Sequence, residues 1–172
     1  FNASEILTSL MLHYVAQLLL IYLVVGPWKD PEGYGFPQTR LFGDAATVPI
    51  LISGTRVHRG VLAALIAVAL GWLLHAKTLL GFQLRVLGQA PRAAAYAGFS
   101  GAGLTWFALL LGGALAGLAG IFEAAGPIGQ LTPSISPGYG FTAIIVAFLG
   151  RLNPVGVLLG GIVLALSYLG GE

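Results

Sequence analysis

The chain has 172 residues, of which 57% are hydrophobic and only 8% are charged, with eight Lys and Arg against six Asp and Glu. Soluble domains carry about 25% charged residues, so these few charges cannot cover a water-facing surface, and the abundant apolar side chains exclude intrinsic disorder. A net charge of +2 gives no support to nucleic-acid binding, and the absence of cysteine excludes disulfides and thiolate metal sites. The composition therefore predicts an all-α, polytopic transmembrane helical bundle.

Apolar runs interrupted by Gly, Pro and charged residues predict the membrane segments, each of which needs about 20 mostly apolar residues to cross a bilayer. They predict about five segments: helix A at 6–25, helix B at 61–76, helix C at 104–124, helix D at 141–149 and helix E at 155–169. Helix D is too short to cross alone unless a half-helix from the irregular residues 126–140 completes it. Residues 150–154 predict a turn. The first residue is not Met and the last residues stop just after an apolar run, so we expect a fragment of a longer membrane protein, incomplete at both ends.

Two polar stretches, residues 28–60 and 77–100, separate the first three predicted helices. Lys and Arg in short loops favour the cytoplasmic side of a membrane. Residues 28–60 contain four basic residues, and residues 77–92 together with Arg151 also contain four, so the basic residues alone do not decide the orientation. The acidic residues within 28–60 weakly favour a cytoplasmic position for 77–100.

Polar side chains recur on one face of helix A. Glu5, Ser9, His13 and Gln17 follow one another at every fourth position, which puts them on one helix face with a drift of about 40° per step, and Thr8 widens this face. A charge that faces lipid at the bilayer centre costs about 2.5 kcal/mol or more, so this face should meet a cavity or another helix. Two interpretations remain open: the wall of a translocation path, and hydrogen bonds that only hold helices together.

The sequence patterns of common enzymes are missing. There is no phosphate-binding loop ending in Lys-Ser or Lys-Thr, no His-Glu-x-x-His and no nucleophile elbow, and His13, His58 and His75 are scattered along the chain. The sequence therefore predicts a protein that is not an enzyme, with no catalytic residues, no metal site and no cofactor of its own.

The stretch at 81–98 predicts two short elements between helices B and C. Gly88 is expected to break the first element, Pro91 suits the first position of a second helix, and Gly98 can end that helix. A surface helix that is too short to span a membrane needs something to dock against. The stretch resembles the cytoplasmic coupling segment of ABC importer permeases of the branched-chain amino acid, ribose and nucleoside superfamily.

The run LGGALAGLAG at 111–120 resembles the sequence that follows the coupling segment in this superfamily. Three further runs extend the resemblance over essentially the whole chain: GYGFTAIIVAFLGRLNPVG at 138–156, EILTSLMLHY at 5–14 and GPWKDP at 26–31. They are similar to the subgroup of nucleoside and simple-sugar permeases that work with basic-membrane-protein-type binding lipoproteins. Ser4 and His13 stand where this subgroup has Asn, and Ala90 replaces the Asn that precedes the proline. The third departure removes a helix cap that contributes about 1 kcal/mol.

The resemblance implies a single permease domain of the type II ABC importer class over residues 1–172, which moves nucleosides or simple sugars by alternating access. The polar face of helix A, Glu5, Thr8, Ser9, His13 and Gln17, would line the substrate pathway. Residues 28–60 would be extracytoplasmic, and residues 77–100 would be the cytoplasmic segment that couples to an ATPase. The residues expected to couple are Arg85, Gly88, Pro91, Arg92, Ala94 and Gly98.

The resemblance also implies the partners and the location. The partners are ABC ATPase subunits that carry ATP and Mg²⁺, a second permease subunit that is identical or different, an extracytoplasmic substrate-binding lipoprotein and the lipid bilayer. The location is the inner membrane of a prokaryote. Three alternatives remain: a secondary transporter or channel subunit that needs no ATPase, a permease for branched-chain amino acids, and a structural subunit without transport activity.

Overall fold

The computed structural model describes residues 4–51, 58–136 and 138–170. Within these ranges the regular structure is helical, and the only β-pairings are two isolated bridges. The α-helices are α1 (Glu5–Val25), α2 (Gly60–Lys77), α3 (Leu79–Gln89), α4 (Pro91–Tyr96), α5 (Gly101–Glu123), α6 (Tyr139–Leu149) and α7 (Pro154–Leu169). The predicted all-α class is confirmed.

Among the described residues, three helical stretches are long and apolar enough to cross a membrane: Leu7–Val25 in α1, Gly60–Lys77 in α2, and Gly101–Gly126, which runs three residues beyond α5. Only 6% of each span's most apolar window is buried within the chain. A soluble helix would turn its apolar face inward, whereas these helices leave their apolar side chains exposed, as a lipid-facing helix does. The five predicted segments correspond to α1, α2, α5, α6 and α7, and α6 and α7 are the two shorter apolar helices.

The end of α1 is set by its Gly-Pro pair. Val24 is fully buried, the Gly26 N–H donates to the Tyr22 carbonyl oxygen at 3.0 Å, and the Trp28 N–H donates to the Leu23 carbonyl oxygen at 2.8 Å. A Cβ at Gly26 would lie 2.9 Å from the Tyr22 oxygen, so this turn needs glycine. Pro27 has no N–H and cannot continue the helix.

The end of α5 lies within one residue of the predicted end near residue 124. The α-helix ends at Glu123 and is followed by a single π-helical turn, Ala124–Ile128, which closes at Gly129 in the left-handed conformation with φ +66°. A proline within this turn supplies no N–H for regular α-helical bonding, which is a physical reason for the wider turn.

The chain divides into two compact units, and the division falls within α5. The first unit comprises residues 1–58 and 120–137, and the second comprises residues 59–119 and 138–172. In the second unit α6 packs against α7, α2 packs against both α3 and α7, and α3 packs against α4. A Cβ at Gly156 would overlap the Gly150 carbonyl group, so glycine at this position allows the two chain segments to come together.

The turn predicted between α6 and α7 is confirmed. Arg151 and Leu152 adopt left-handed backbone conformations, with φ +52° and +56°. Asn153 is the N-cap of α7, where its side-chain oxygen accepts a hydrogen bond from the Val155 N–H at 3.1 Å, and Pro154 takes the first helical position. Asn153 therefore has a local structural role as a helix cap.

Replacing Asn153 by alanine is expected to destabilise the protein by about 1 kcal/mol, because the Val155 N–H loses its acceptor. Thermal unfolding of the full-length protein in detergent measures this effect. Asn153→Asp is the matched control, since aspartate keeps the accepting oxygen. Its free energy of unfolding should lie within about 0.5 kcal/mol of the wild-type value. Equal melting of Asn153→Ala and wild type would contradict the capping role.

Candidate functional site

The polar face predicted on helix A is present on α1. Thr8, Ser9, His13 and Gln17 all lie in this helix with exposed side chains. Glu5 is the first residue of the helix, and its side chain lies outside what the structure describes. Because the helix is regular from Glu5 to Val25, the four-residue spacing keeps these positions along one side of it.

Thr8 and His13 of this face make contacts within α1. The Thr8 hydroxyl donates to the Ser4 carbonyl oxygen at 3.0 Å, a back-bond that satisfies its hydrogen within the helix. The imidazole ring of His13 meets the ring of Tyr14 edge-on, with centroids 5.8 Å apart and planes at 60°. On the other side of α1, Met11 and Leu18 are 67% and 65% exposed. The polar face and the apolar face of α1 are thus both exposed within the described part of the chain.

The polar loop after α1 pairs with the stretch that follows the π-helical turn. The Thr39 N–H donates to the Leu131 carbonyl oxygen at 3.0 Å, and the Thr39 hydroxyl oxygen accepts from the Leu131 N–H at 2.9 Å. The Phe42 N–H donates to the Gly129 carbonyl oxygen at 2.8 Å. Thr39 is only 7% exposed, so these bonds lie away from water. We call residues 38–42 and 129–131 together the strap.

Sequence reasoning missed the strap. A threonine in a loop rich in Gly and Pro carries no local sign of a partner, and Thr39 and Leu131 are 92 residues apart. Both stretches are rich in turn-forming residues. This composition predicts irregular backbone, but it does not indicate which other segment the backbone will hydrogen-bond to.

A second anchor holds the same region. The Val48 N–H donates to the Ala125 carbonyl oxygen at 2.8 Å, and Ala124 and Ala125 are buried. A Cβ at Gly126 would lie 3.2 Å from Nε2 of His58, so the imidazole ring rests on this glycine. The π-helical turn releases carbonyl groups from regular α-helical bonding, and the loop after α1 provides a donor for one of them.

The predicted coupling segment forms two short helices, α3 and α4, as expected. Thr78 caps α3, since its hydroxyl accepts from the Gly81 N–H at 3.1 Å and donates to the Leu74 carbonyl oxygen at 2.6 Å. Pro91 is the first residue of α4, as predicted, and the left-handed Gly98, with φ +76°, lies just beyond its end.

The prediction that Gly88 breaks the first element is wrong. Gly88 lies inside α3, which continues through Gln89, and the break falls at Ala90 with φ −145° and ψ 74°. The residue before a proline is driven out of the α-helical region by the proline ring, so Pro91 rather than Gly88 sets the break. Ala90 makes no side-chain cap for α4, in line with the loss of asparagine at this position.

The residues predicted to couple to an ATPase differ in exposure. Five of them are exposed: Arg85, Gly88, Pro91, Arg92 and Gly98. Ala94 is fully buried within the chain, and its carbonyl oxygen accepts from the Phe99 N–H at 3.0 Å. Sequence reasoning missed Tyr96, whose side chain is 95% exposed at the end of α4. Its residue type makes tyrosine a common contact residue, but its exposure could not be read from the sequence.

A cavity of about 530 Å³ lies at the end of α1, within the first unit. It is lined by Pro27, Trp28, Lys29, Pro31, Thr39, Arg40, Phe42 and Leu131. Arg40 approaches Asp30, with Nε 3.8 Å from Oδ1. The strap forms part of the cavity wall, because both Thr39 and Leu131 face into it.

Apolar helices that expose their side chains, one helix with a polar face and a pair of short helices between two spans define a multi-pass membrane protein. The whole chain, residues 1–172, matches the family described as branched-chain amino acid transport system / permease component. The chain belongs to this family, whose members are transport components rather than enzymes. The family expected from the sequence is confirmed.

Three relatives illustrate the range of the family. The chain is 42% identical over 182 residues to a glucose ABC transporter permease protein of Haloferax volcanii, covering 100% of this chain and 48% of that protein. It is 32% identical over 177 residues to a guanosine ABC transporter permease protein of Bacillus subtilis, covering 99% and 48%. It is 28% identical over 165 residues to a nucleoside ABC transporter permease protein of Lactococcus lactis, covering 91% and 45%. The chain spans about half the length of these relatives, and no solved structure matches it significantly.

Proposed function

We propose that this chain is part of the membrane-spanning permease subunit of an ATP-driven ABC importer for nucleosides or simple sugars. The relatives named for glucose, guanosine and nucleosides support this class of substrate. The observation that carries the proposal is the pair of short helices between the spans α2 and α5, because a transporter driven by a separate ATPase needs a rigid surface element for that ATPase to move. ATP and Mg²⁺ would bind the ATPase, and this chain would hold no cofactor.

The geometry of α3 and α4 suits a lever. The six residues of α4 extend about 9 Å, too short to cross a membrane. Buried Ala94 fixes α4 to its own chain, while Arg92 and Tyr96 remain exposed for a partner. Arg85 is steadied by its Nε, which donates to the Gly81 carbonyl oxygen at 3.4 Å. Closure of an ATPase dimer on ATP binding would displace α4 as a rigid body and bias the bundle between its inward-open and outward-open states.

The polar face of α1 suits the wall of a substrate path. Nucleosides and sugars present hydroxyl groups and base edges, which need donors and acceptors in the cavity that binds them. Gln17 offers an amide with both functions, Ser9 a hydroxyl and His13 an imidazole nitrogen. These polar side chains are exposed on a helix that is long and apolar enough to span the membrane, and a polar face at that depth is favoured where it meets a cavity or another helix.

The remaining assignments follow from this class of protein. Residues 77–100 would be cytoplasmic, and residues 28–60 would face an extracytoplasmic substrate-binding lipoprotein. A second permease subunit would complete the bundle in the inner membrane of a prokaryote. On α5, the described part of the chain places no heavy atom within 4 Å of a Cβ at Gly112, Gly113 or Gly117, so this helix has a smooth surface available for close packing of another helix.

Replacing His13 or Gln17 by alanine in the full-length permease is expected to raise the KM for uptake about tenfold, since one neutral hydrogen bond contributes about 1 kcal/mol or somewhat more. Uptake of labelled guanosine and glucose into vesicles that contain permease, ATPase and binding protein measures this. Leu18→Ala is the control, because Leu18 is also exposed but lies on the apolar side of α1.

Three outcomes would contradict the proposal. Unchanged KM in both polar variants would remove the assigned role of α1 in the substrate path and would favour a purely structural polar face. Uptake that persists in vesicles without the ATPase would instead indicate a secondary transporter or a channel, while inhibition of uptake by excess leucine would indicate a branched-chain amino acid permease.

A further inference from the structure

We propose that the cavity at the end of α1 binds the headgroup of an anionic phospholipid. The residues that line this cavity belong to the first unit of the chain, which contains the membrane-spanning helix α1. A lipid bound there is independent of the transported substrate and of the side of the membrane on which residues 28–60 lie.

The position of the cavity is the first argument. The span on α1 ends at Val25, and the lining residues Pro27, Trp28 and Lys29 follow within four positions. An extended chain advances at most about 3.5 Å per residue, so these side chains start within roughly 15 Å of the apolar boundary. The polar headgroup layer begins directly outside the hydrocarbon core. Tryptophan is enriched at this depth, and Trp28 is half exposed at the cavity.

The chemistry of the lining is the second argument. Pro27, Pro31, Phe42 and Leu131 give the cavity an apolar floor, and its volume of about 530 Å³ lies in the range of small-ligand sites. Among the residues that the structure describes, the ionisable ones in the lining are Lys29 and Arg40, both cations. A ligand that fits must therefore combine a negative charge with apolar groups. A phospholipid offers both, with its phosphate beside the cations and its glycerol and upper acyl carbons on the apolar floor.

Arg40 retains capacity for such an anion. Its contact with Asp30 is made through Nε at 3.8 Å, which is longer than a hydrogen bond, and the guanidinium has five N–H donors in all. The same Asp30 Oδ1 also accepts from the Glu32 N–H at 3.1 Å. Asp30 therefore steadies one edge of the guanidinium and leaves donor capacity for a phosphate.

The walls of the cavity are held by backbone hydrogen bonds. In the strap, the Thr39 N–H donates to the Leu131 carbonyl oxygen, and the Leu131 N–H donates to the Thr39 hydroxyl oxygen. Thr39 also forms an isolated β-bridge with Lys29. The Asp30 N–H donates to the Gln38 carbonyl oxygen at 2.9 Å. A site whose walls are already fixed loses little conformational entropy when a ligand enters it.

Native mass spectrometry of the full-length protein, titrated with palmitoyl-oleoyl phosphatidylglycerol against the phosphatidylcholine of the same chains, tests the proposal. The wild type should retain phosphatidylglycerol at least tenfold more tightly than phosphatidylcholine. Lys29→Gln with Arg40→Gln should abolish this preference, and Lys29→Arg with Arg40→Lys should keep it. The matched control is Lys77→Gln with Arg151→Gln, which removes two other exposed cations and should leave the preference intact.

Three results would overturn the proposal. The first is equal retention of the two lipids by the wild type, and the second is an unchanged preference in the Lys29→Gln and Arg40→Gln variant. The third is displacement of the lipid by soluble glycerol 3-phosphate at the same concentration, which would assign the cavity to a free phosphate compound. Melting of each variant in phosphatidylcholine within about 2 °C of the wild type shows that the fold is intact.

Discussion

Gly81→Ala is expected to lower the melting temperature of the full-length protein in detergent by roughly 5 to 10 °C. Gly81 is buried where α3 meets the end of α2. An added methyl group would overlap the Leu74 carbonyl oxygen and would lie 2.8 Å from Cα of His75. These are backbone atoms that no side-chain rotation can move, so α3 would have to shift away from α2. Overpacking of this kind destabilises by about 3 kcal/mol, which corresponds to the expected change in melting temperature.

Gly88→Ala is the matched control for this prediction. It makes the same chemical change in the same helix, but among the described residues no heavy atom lies within 4 Å of a Cβ at Gly88. Since alanine favours a helix interior over glycine by about 1 kcal/mol, this variant should melt at or slightly above the wild-type temperature. Similar melting of Gly81→Ala and Gly88→Ala would show that the close approach of α3 to α2 does not limit stability.

Tyr96→Ala is expected to reduce ATP-driven uptake at least tenfold and to leave the melting temperature unchanged. The Tyr96 side chain is 95% exposed, so its removal costs the isolated fold little. If α4 docks on an ATPase, an exposed tyrosine beside Arg92 would form the centre of that contact, where truncation of an aromatic anchor costs about 2 kcal/mol or more. Uptake into vesicles and thermal melting measure these two expected results. Co-purification of the ATPase tests the docking contact itself.

The controls for Tyr96 separate docking from a loss of aromatic surface in general. Tyr96→Phe keeps the ring and should retain most uptake. Tyr34→Ala removes a ring that is 98% exposed in the other polar loop and should leave co-purification of the ATPase unchanged. Full uptake and normal ATPase binding by Tyr96→Ala would contradict the role proposed for α4, while the lipid site at Lys29 and Arg40 would be unaffected.

The difference between Ala94 and its neighbours refines the coupling prediction. Six residues of α3, α4 and the following turn were expected to act together on sequence grounds. The structure separates them into an exposed group that includes Arg92 and one buried anchor, Ala94. A bulky residue at Ala94 would therefore disturb the attachment of α4 to its own chain, and this effect would register as reduced stability as well as reduced uptake.

Much of the fold is predictable because helix formation in a membrane is a local property. A run of about 20 apolar residues in a membrane must satisfy its backbone hydrogen bonds internally. The apolar runs and the Gly, Pro and charged residues that interrupt them therefore locate α1, α2 and α5 to within a few residues. The same reasoning locates the turn at 150–154 and the start of α4, because proline restricts its own backbone and that of the residue before it. The one misplaced break, at Gly88, arose where two local signals competed and the proline was the stronger.

The membrane class, the family and the order of helices were readable from the amino-acid sequence, since each depends on patterns of residues close together in the chain. Only the tertiary structure paired Thr39 with Leu131, buried Ala94, exposed Tyr96 and formed the cavity beside Trp28. These features join residues far apart in sequence, or depend on which side of a short helix faces its neighbour. Local periodicity encodes neither the long-range pairing of loops nor the facing of a short helix. The contacts of a loop residue depend on where the helices on both sides of it are placed.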